Sequence, residues 1–386
     1  MQAMNGSAGS FRRARLIGCC MALALAVSAM ILAPSAGAVT NPTKTYLALG
    51  DSLAFGYTQV KHTENAPGDS PAFFEEGYTD AYVKKVRAPG PNLEENNKGT
   101  VLVNDGCPGE TTKSFKGEGK NIGVGTNCNY QALFTLVGPG TAGGPLHNPY
   151  PGKSQESNML QILKGGSPAH PITAISLNLG ANDELESVSA CKAEVKKDME
   201  EKGFSEQPKG SGEIYTTSEI PGAINACVAG GAPATFGLIN ANLEAIIGKI
   251  YGSGGYTGKV VLLGFYNPFT FILGGSDALQ KLLNEYLEAN VVANNAGKVV
   301  FANPFIKFNG TSEGSAAEQK KICTLTEMCN PTAIAENKAT DEARKTKEAG
   351  EGKTVIYPFN PAEGDIHPSK MGYYQLGKIA YEALPL

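Results

Sequence analysis

The stretch Thr45–Ala54, which reads TYLALGDSLA, decides the fold. Its first half is short and apolar and predicts a β-strand over Thr45–Leu49, and its second half places Ser52 in the turn after that strand. In open α/β sheets, ligands collect at the carboxyl ends of the strands, where such a turn presents its side chains. Taken alone the turn is weak evidence, because a serine there can simply cap the next helix.

Strand-like and helix-like segments alternate along the rest of the chain. Further strands are predicted at Val101–Val103, Ile172–Leu179, Lys259–Phe265 and Lys298–Phe301, and helices at Tyr78–Val86, Phe236–Tyr251, Asp277–Asn295 and Ser369–Leu384. This alternation predicts an α/β fold, a three-layer α/β/α sandwich around a five-stranded, mostly parallel sheet with helices on both faces. Residues 59–76, 138–153, 187–233 and 310–351 lack a clear apolar period and are predicted to be surface insertions.

The composition limits the class of protein. With 41% apolar and 18% charged residues among 386, the chain can build a large core and is not a disordered segment. A net charge of −4, from 33 basic and 37 acidic residues, disfavours a protein that holds nucleic acid through its phosphates. The sequence contains no phosphate-binding loop and no dinucleotide fingerprint, so we expect no cofactor.

Residues 1–38 are predicted to be a secretory signal peptide. Arginines at positions 12, 13 and 15 precede an apolar run over Leu16–Leu32, which is followed by the small residues Ala36–Ala38. Cleavage after Ala38 would leave residues 39–386 as one extracellular domain. A membrane anchor is the alternative, which the small-residue site directly after the apolar run disfavours. No later stretch approaches the roughly 18 apolar residues that span a bilayer. We therefore expect a secreted monomer without a membrane span.

Six cysteines follow the predicted signal peptide, and an even number in a secreted chain indicates disulfide bonds. They fall as three successive pairs, which predicts the bonds Cys107–Cys128, Cys191–Cys227 and Cys323–Cys329. Zinc is the alternative. We expect no metal site, because the spacing of Cys323 and Cys329 is not typical of zinc ligands and no histidine lies nearby.

Three further polar segments carry candidate chemistry. The segment NDGCPGETT contains Gly109, whose N–H could face an oxyanion, and the segment GAND offers the side-chain amide of Asn182. The segment GDIHP contains His367, whose imidazole can take and return a proton near neutral pH. Each also has an ordinary explanation, namely a turn glycine, an Asx turn and a surface histidine at a helix start.

Together with Ser52, these segments resemble the four sequence blocks of the SGNH hydrolase superfamily, also called GDSL lipases and esterases. The in-line cysteine pairs resemble those of its secreted actinobacterial members. The resemblance implies that Ser52 is the nucleophile and His367 the general base. It also implies an oxyanion hole made of the Ser52 and Gly109 N–H groups and the Asn182 side chain, with Gly106 as a less favoured glycine.

One position departs from the pattern of the superfamily, which commonly has an aspartate three residues before the catalytic histidine. Here that position is Gly364, and Asp365 lies two residues before His367. We expect Asp365 to orient the imidazole. A backbone carbonyl near Gly364 is the alternative, because it can also fix the tautomer of the ring.

These features predict a secreted serine ester hydrolase, a lipase or esterase that forms an acyl-enzyme on Ser52. The expected substrate is a small-molecule or lipid ester, with no metal, cofactor or nucleic acid involved. Two alternatives remain open. One is an esterase that removes O-acetyl groups from carbohydrate or peptidoglycan on the same fold, and the other is a non-catalytic secreted binding protein.

Overall fold

The computed structural model describes residues 44–65, 70–83, 100–118, 146–150, 152–166, 170–202, 204–205, 215–216, 219–270, 273, 275–350 and 364–386. The predicted signal peptide and Cys128 lie outside the described residues.

A parallel sheet forms the centre of the fold. Its strands are β1 (Lys44–Gly50), β2 (Thr100–Asn104), β3 (Ile172–Asn178), β6 (Val260–Leu263) and β7 (Val299–Ala302), in the order β2-β1-β3-β6-β7. All four neighbouring pairs are parallel. The short strands β4 (Phe204–Ser205) and β5 (Tyr215–Thr216) pair separately. The predicted five-stranded sheet and its α/β class are thus confirmed.

Helices connect the strands and flank the sheet. In chain order they are α1 (Ser52–Phe55), α2 (Gln59–Asn65), α3 (Tyr78–Val83), α4 (Thr112–Phe115), α5 (Gln155–Gly165), α6 (Ala181–Lys202), α7 (Ile220–Tyr251), α8 (Ser276–Leu287), α9 (Phe305–Phe308), α10 (Ala316–Leu325), α11 (Pro331–Gly350) and α12 (Lys370–Ala383). A π-helical segment, Glu288–Val292, follows α8, and the 3₁₀ turns Pro71–Phe74 and Glu327–Cys329 precede α3 and α11.

Both faces of the sheet are buried because successive side chains of a strand point to opposite faces. One face contributes Leu47, Leu49, Ile175, Leu177 and Leu262 to a core that is closed by α5, α7 and α8. The opposite face contributes Tyr46, Ala48, Ala174, Val261 and Leu263 to a core that is closed by α3, α10 and α12. The predicted three layers follow from this alternation.

Three of the four segments predicted as surface insertions contain helix, which their weak periodicity did not predict. Helix α2 begins residues 59–76, α6 and α7 cover most of residues 187–233, and α10 and α11 cover most of residues 310–351. The periodicity was weak because α6 and the start of α7 share only a small separate core, formed by Cys191, Val195, Met199, Ile220 and Ile224. Because this core needs only a few apolar residues, the two helical segments show no apolar stripe in the sequence.

Helix α7 differs most from its prediction. It begins at Ile220 rather than Phe236 and continues through Pro233. By length and composition it could cross a membrane, with a mean hydropathy of 1.3, which corrects the expectation that no later stretch approaches this limit. The reason is that Gly, Ala and Pro fill its first half in place of charged residues. Its second half packs Ile239, Leu243 and Ile246 into the core.

Within the described residues, two of the three predicted disulfide bonds are present. Cys191 joins α6 to Cys227 on α7, with the Cα atoms 5.7 Å apart. Cys323 on α10 is bonded to Cys329 in the following 3₁₀ turn. Cys107 is disulfide-bonded, and its predicted partner Cys128 lies outside the described residues.

Candidate active site

Ser52 lies at the carboxyl end of β1 and begins α1. Asp51 caps this helix, since its Oδ1 accepts a hydrogen bond of 2.9 Å from the Leu53 N–H. Gly50 has φ +146°, and a Cβ there would lie 2.3 Å from the Asn178 carbonyl oxygen of β3. A side chain at position 50 would therefore push β1 away from β3, which explains the glycine before Asp51.

The structure brings Ser52, His367 and Asp365 into one line of hydrogen bonds. Ser52 Oγ lies 2.9 Å from His367 Nε2, and His367 Nδ1 lies 2.5 Å from Asp365 Oδ1. Asp365 Oδ2 accepts a bond of 2.7 Å from the backbone N–H of Gln59 at the start of α2. Ser52 is 8% exposed and the His367 side chain 15%, so the serine hydroxyl and imidazole face a cavity and are shielded from bulk water.

Asp365, and not the Gly364 carbonyl, contacts the imidazole. The Gly364 carbonyl instead accepts a bond of 3.1 Å from Asn337 Nδ2. A Cβ at Gly364 would lie 2.3 Å from the Glu327 carbonyl oxygen, so position 364 has no room for the aspartate that the superfamily pattern would place there. The glycine at position 364 thus has a steric reason.

Electrostatics favour an ionised Asp365. Burial by itself raises the pKa of this carboxyl, but the His367 charge and hydrogen bonds from His367 and Gln59 outweigh burial and hold the pKa below its usual value. A carboxylate in this position fixes the Nδ1–H tautomer of the imidazole, which leaves Nε2 free to accept a proton from Ser52.

Hydrogen bonds and a ring contact hold the loop that carries His367 in place. The Glu327 N–H donates to the His367 carbonyl at 2.9 Å, and the Tyr266 hydroxyl donates to the Ile366 carbonyl at 2.8 Å. The ring of Tyr57 packs edge-on against the imidazole at a centroid distance of 4.8 Å. Sequence analysis missed these supports, because none of them belongs to a local motif.

Gly109 and Asn182 line the same cavity as Ser52. Gly109 has φ +81°, a conformation that favours glycine. Among the described residues, the N–H groups of Ser52 and Gly109 have no hydrogen-bond partner. The Gly106 N–H, by contrast, donates to Asn104 Oδ1 at 2.9 Å, so this less favoured glycine is already engaged.

The Asn182 amide lies beside Ser52, at the start of α6. Its Nδ2 donates to the Glu110 carbonyl at 2.9 Å and lies 3.4 Å from Asp51 Oδ2. The second contact is long for a hydrogen bond, so one N–H of Asn182 can turn to another acceptor at little cost.

Asp183 holds the Gly109 loop against α6, a function that sequence analysis did not assign. Its two oxygens accept bonds of 2.8 and 2.7 Å from the backbone N–H and the hydroxyl of Thr112. Asn242 of α7 donates to the same hydroxyl at 2.8 Å. The loop with Gly109 and the helix with Asn182 are therefore fixed relative to each other.

Buried carboxyl groups lie beneath the site. Burial raises the pKa of Asp51 to about 7 and that of Glu110 to about 8. Ser114 Oγ donates to Glu110, and Gln155 Nε2 donates to Glu110 at 3.2 Å and to the Gly50 carbonyl at 2.9 Å. Glu110 is thus mostly neutral at pH 7, which limits the negative charge below Ser52.

The Ser52 side of the site opens into a cavity of about 230 Å³. Ser52, Gly109, Asn182 and His367 line one part of it, and side chains of α6, α7 and α8 line the rest. Within the described residues, no group of three or more His, Cys, Asp or Glu side chains is arranged to hold a metal ion.

Comparisons with known proteins gave similarities to solved structures, two of which are described below. No protein-family model and no curated protein matches the chain. One similar solved structure is a member of the lipolytic protein G-D-S-L family from Veillonella parvula DSM 2008, with 12% identity, a TM-score of 0.32 and coverage of 88% of this chain and 98% of that chain. Another is a mutant of an acetyl-xylooligosaccharide esterase from Geobacillus Stearmophilus, with 11% identity, a TM-score of 0.37 and coverage of 89% and 94%. At this level of similarity, function must be argued from the residues of the chain itself.

Proposed function

We propose that the protein is a carboxylic ester hydrolase that forms an acyl-enzyme on Ser52. The observation that carries this proposal is the 2.9 Å contact between Ser52 Oγ and His367 Nε2, with Asp365 on the other ring nitrogen. A hydroxyl, a base and an orienting carboxylate in this order are the parts that an activated serine nucleophile requires. A binding protein without activity has no evident need for such an arrangement.

In the first half of the reaction, Ser52 attacks the ester carbonyl carbon while His367 Nε2 takes the proton of the hydroxyl. The negative charge develops on the carbonyl oxygen. It is stabilised by the N–H groups of Ser52 and Gly109 and by the Asn182 amide, and one donor of this kind contributes about 3–4 kcal/mol. When the tetrahedral intermediate collapses, His367 returns the proton to the leaving alcohol.

In the second half, water attacks the acyl-enzyme and His367 takes one of the protons of that water. The same donors hold the second oxyanion, and the proton then passes to Ser52 as the carboxylic acid leaves. Asp365 remains ionised throughout and stabilises the imidazolium that forms in each half. This role agrees with the lowered pKa of its carboxyl.

Labelling by a fluorophosphonate tests the proposal. The expected result is one covalent adduct per chain, located on Ser52 by mass spectrometry, and none in Ser52→Ala. Hydrolysis of p-nitrophenyl esters should fall to background in both Ser52→Ala and His367→Ala and should persist in the presence of a chelator. Ester hydrolysis that survives in folded Ser52→Ala would overturn the proposal.

We also propose that the protein acts outside the cell. The bonds Cys191–Cys227 and Cys323–Cys329 support this, because disulfides persist in oxidising compartments. Expression in a secreting host should yield a mature chain that begins near Val39. Retention of the intact N-terminus inside the cell would contradict it.

A further inference from the structure

The cavity extends well beyond the reacting groups. From Ser52 and His367 it continues between α6, α7 and α8 and past the loop after β6. Helix α6 contributes Ala181, Leu185 and Val188, which share one face because they are spaced by three or four residues. This part of the cavity is too deep to be needed for the chemistry at the ester bond.

The opposite wall is mostly apolar, with Asn225 and Thr235 as polar members. Helix α7 contributes Val228, Ala232 and Phe236, which lie four residues apart and therefore form a single row along the helix. The rings of Phe265 and Phe269 add to the wall after β6. Such a surface binds hydrocarbon and gives few hydrogen bonds to a sugar.

The ionisable group in this deeper part is Glu184, which lies one turn from Val188 on α6. Gln280 of α8 donates to its carboxyl at 3.2 Å. Burial raises the pKa of Glu184 to about 8, so the carboxyl is mostly neutral at pH 7. The deeper part of the cavity therefore carries little charge in neutral solution.

We propose that the deeper part of this cavity is an acyl-binding site, and that the preferred substrates are esters of medium-chain fatty acids. The inference rests on the proposed ester hydrolysis at Ser52. An apolar cavity of about 150 Å³ holds one benzene molecule, so each carbon atom needs about 25 Å³ of cavity volume. On that scale, the whole cavity of 230 Å³, including the part beside Ser52 that holds the ester carbon, accommodates about nine carbons.

Ala232 sets the space available to the chain. It is 6% exposed and lies in the α7 row between Val228 and Phe236. A phenyl group introduced at this position would occupy more than half of the cavity, by the same benzene scale. Ala234, two residues further along the same helix, is exposed and provides the matched control.

The experiment compares kcat/KM on p-nitrophenyl esters from acetate to palmitate for the parent protein, Ala232→Phe, Ala234→Phe and Ser52→Ala. For the parent, kcat/KM should rise about fourfold for each added methylene up to about C8, because each buried methylene favours binding by a similar factor. It should stop rising beyond about C10. Ala232→Phe should lose octanoate activity at least a hundredfold more than acetate activity, and Ala234→Phe should match the parent.

A second measurement uses only the parent protein and therefore does not depend on whether Ala232→Phe folds. The rate at which alkyl phosphonates inactivate the parent protein should rise from methyl to octyl by the same factor per methylene. A profile that peaks at acetate, or an equal loss on all esters in folded Ala232→Phe, would overturn the acyl site while Ser52-dependent hydrolysis stands. A parent protein that neither hydrolyses esters nor labels at Ser52 would overturn the proposed function instead.

Discussion

Replacement of Asp365 tests the proposed site most directly. In Asp365→Ala both carboxylate oxygens are lost, so the His367 ring and the Gln59 N–H each lose an acceptor. In Asp365→Asn the side-chain oxygen can still accept from Gln59, but the new NH₂ group faces Nδ1. The imidazole must then carry its proton on Nε2, where it cannot take the proton of Ser52.

The size of the effect follows from the burial of the pair. Asp365 is 4% exposed at its side chain, and the imidazolium forms only during the reaction. At an effective dielectric constant of about 20, opposite charges about 4 Å apart attract by about 4 kcal/mol. Because this attraction is absent from the resting neutral ring, its loss raises the barrier and lowers kcat/KM about a thousandfold. The asparagine variant should lose at least as much.

The assay is kcat/KM on p-nitrophenyl butyrate at neutral pH, with urea midpoints to show that each variant is folded. Asn337→Ala is the matched control. It removes the donor to the Gly364 carbonyl but leaves the atoms of Asp365 in place, so it should keep most of the activity. If folded Asp365→Asn stays within tenfold of the parent, the carboxylate does not orient His367 and the reasoning is refuted.

Three further predictions concern the surroundings of the site. Asp183→Ala should lower kcat about 10- to 100-fold with little change in KM. It should also lower the free energy of unfolding by about 2–3 kcal/mol, because two hydrogen bonds to Thr112 are lost. Unchanged steady-state kinetics would contradict this prediction. The raised pKa of Glu184 means that the folded protein keeps a proton which the unfolded chain releases. The free energy of unfolding should therefore fall as pH rises from about 4.5 to about 8, and urea midpoints of Glu184→Gln should lack this part of the fall. Serine at both Cys191 and Cys227, which are 36 residues apart, should lower the free energy of unfolding by about 3–4 kcal/mol, and equal urea midpoints with and without the bond would rule that out.

The reacting residues could be proposed from the sequence because each sits in a short segment with its own chemistry. Ser52 follows a buried strand, and His367 precedes a helix that begins two residues after Pro368. A strand end, a glycine turn and a histidine can each be recognised from the few residues around them. The same holds for the parallel sheet, whose strands are short apolar runs between helical segments.

The residues that hold the site in place could not be recognised from the sequence. Thr112 and Asp183 are 71 residues apart, and Gly50 and Gln155 are 105 apart. A single glutamine or aspartate looks the same in the sequence whether it holds a loop or faces solvent. Periodicity also failed for α6, because its short apolar core is shared with α7 and strengthened by a disulfide bond.

The sequence by itself determined the α/β class and the strand that presents Ser52, and its resemblance to the SGNH hydrolase superfamily named the side chains that we propose for acyl transfer. Only the tertiary structure decided that Asp365 meets the imidazole, that the Gly106 N–H is already engaged while Gly109 lines the cavity, and that α6, α7 and α8 enclose a mostly apolar space beside them. The physical reason is that the chemical groups of each residue and its local conformational preference depend on the residue and its neighbours in the sequence. Distance, burial and cavity volume arise only when segments far apart in the chain pack against each other.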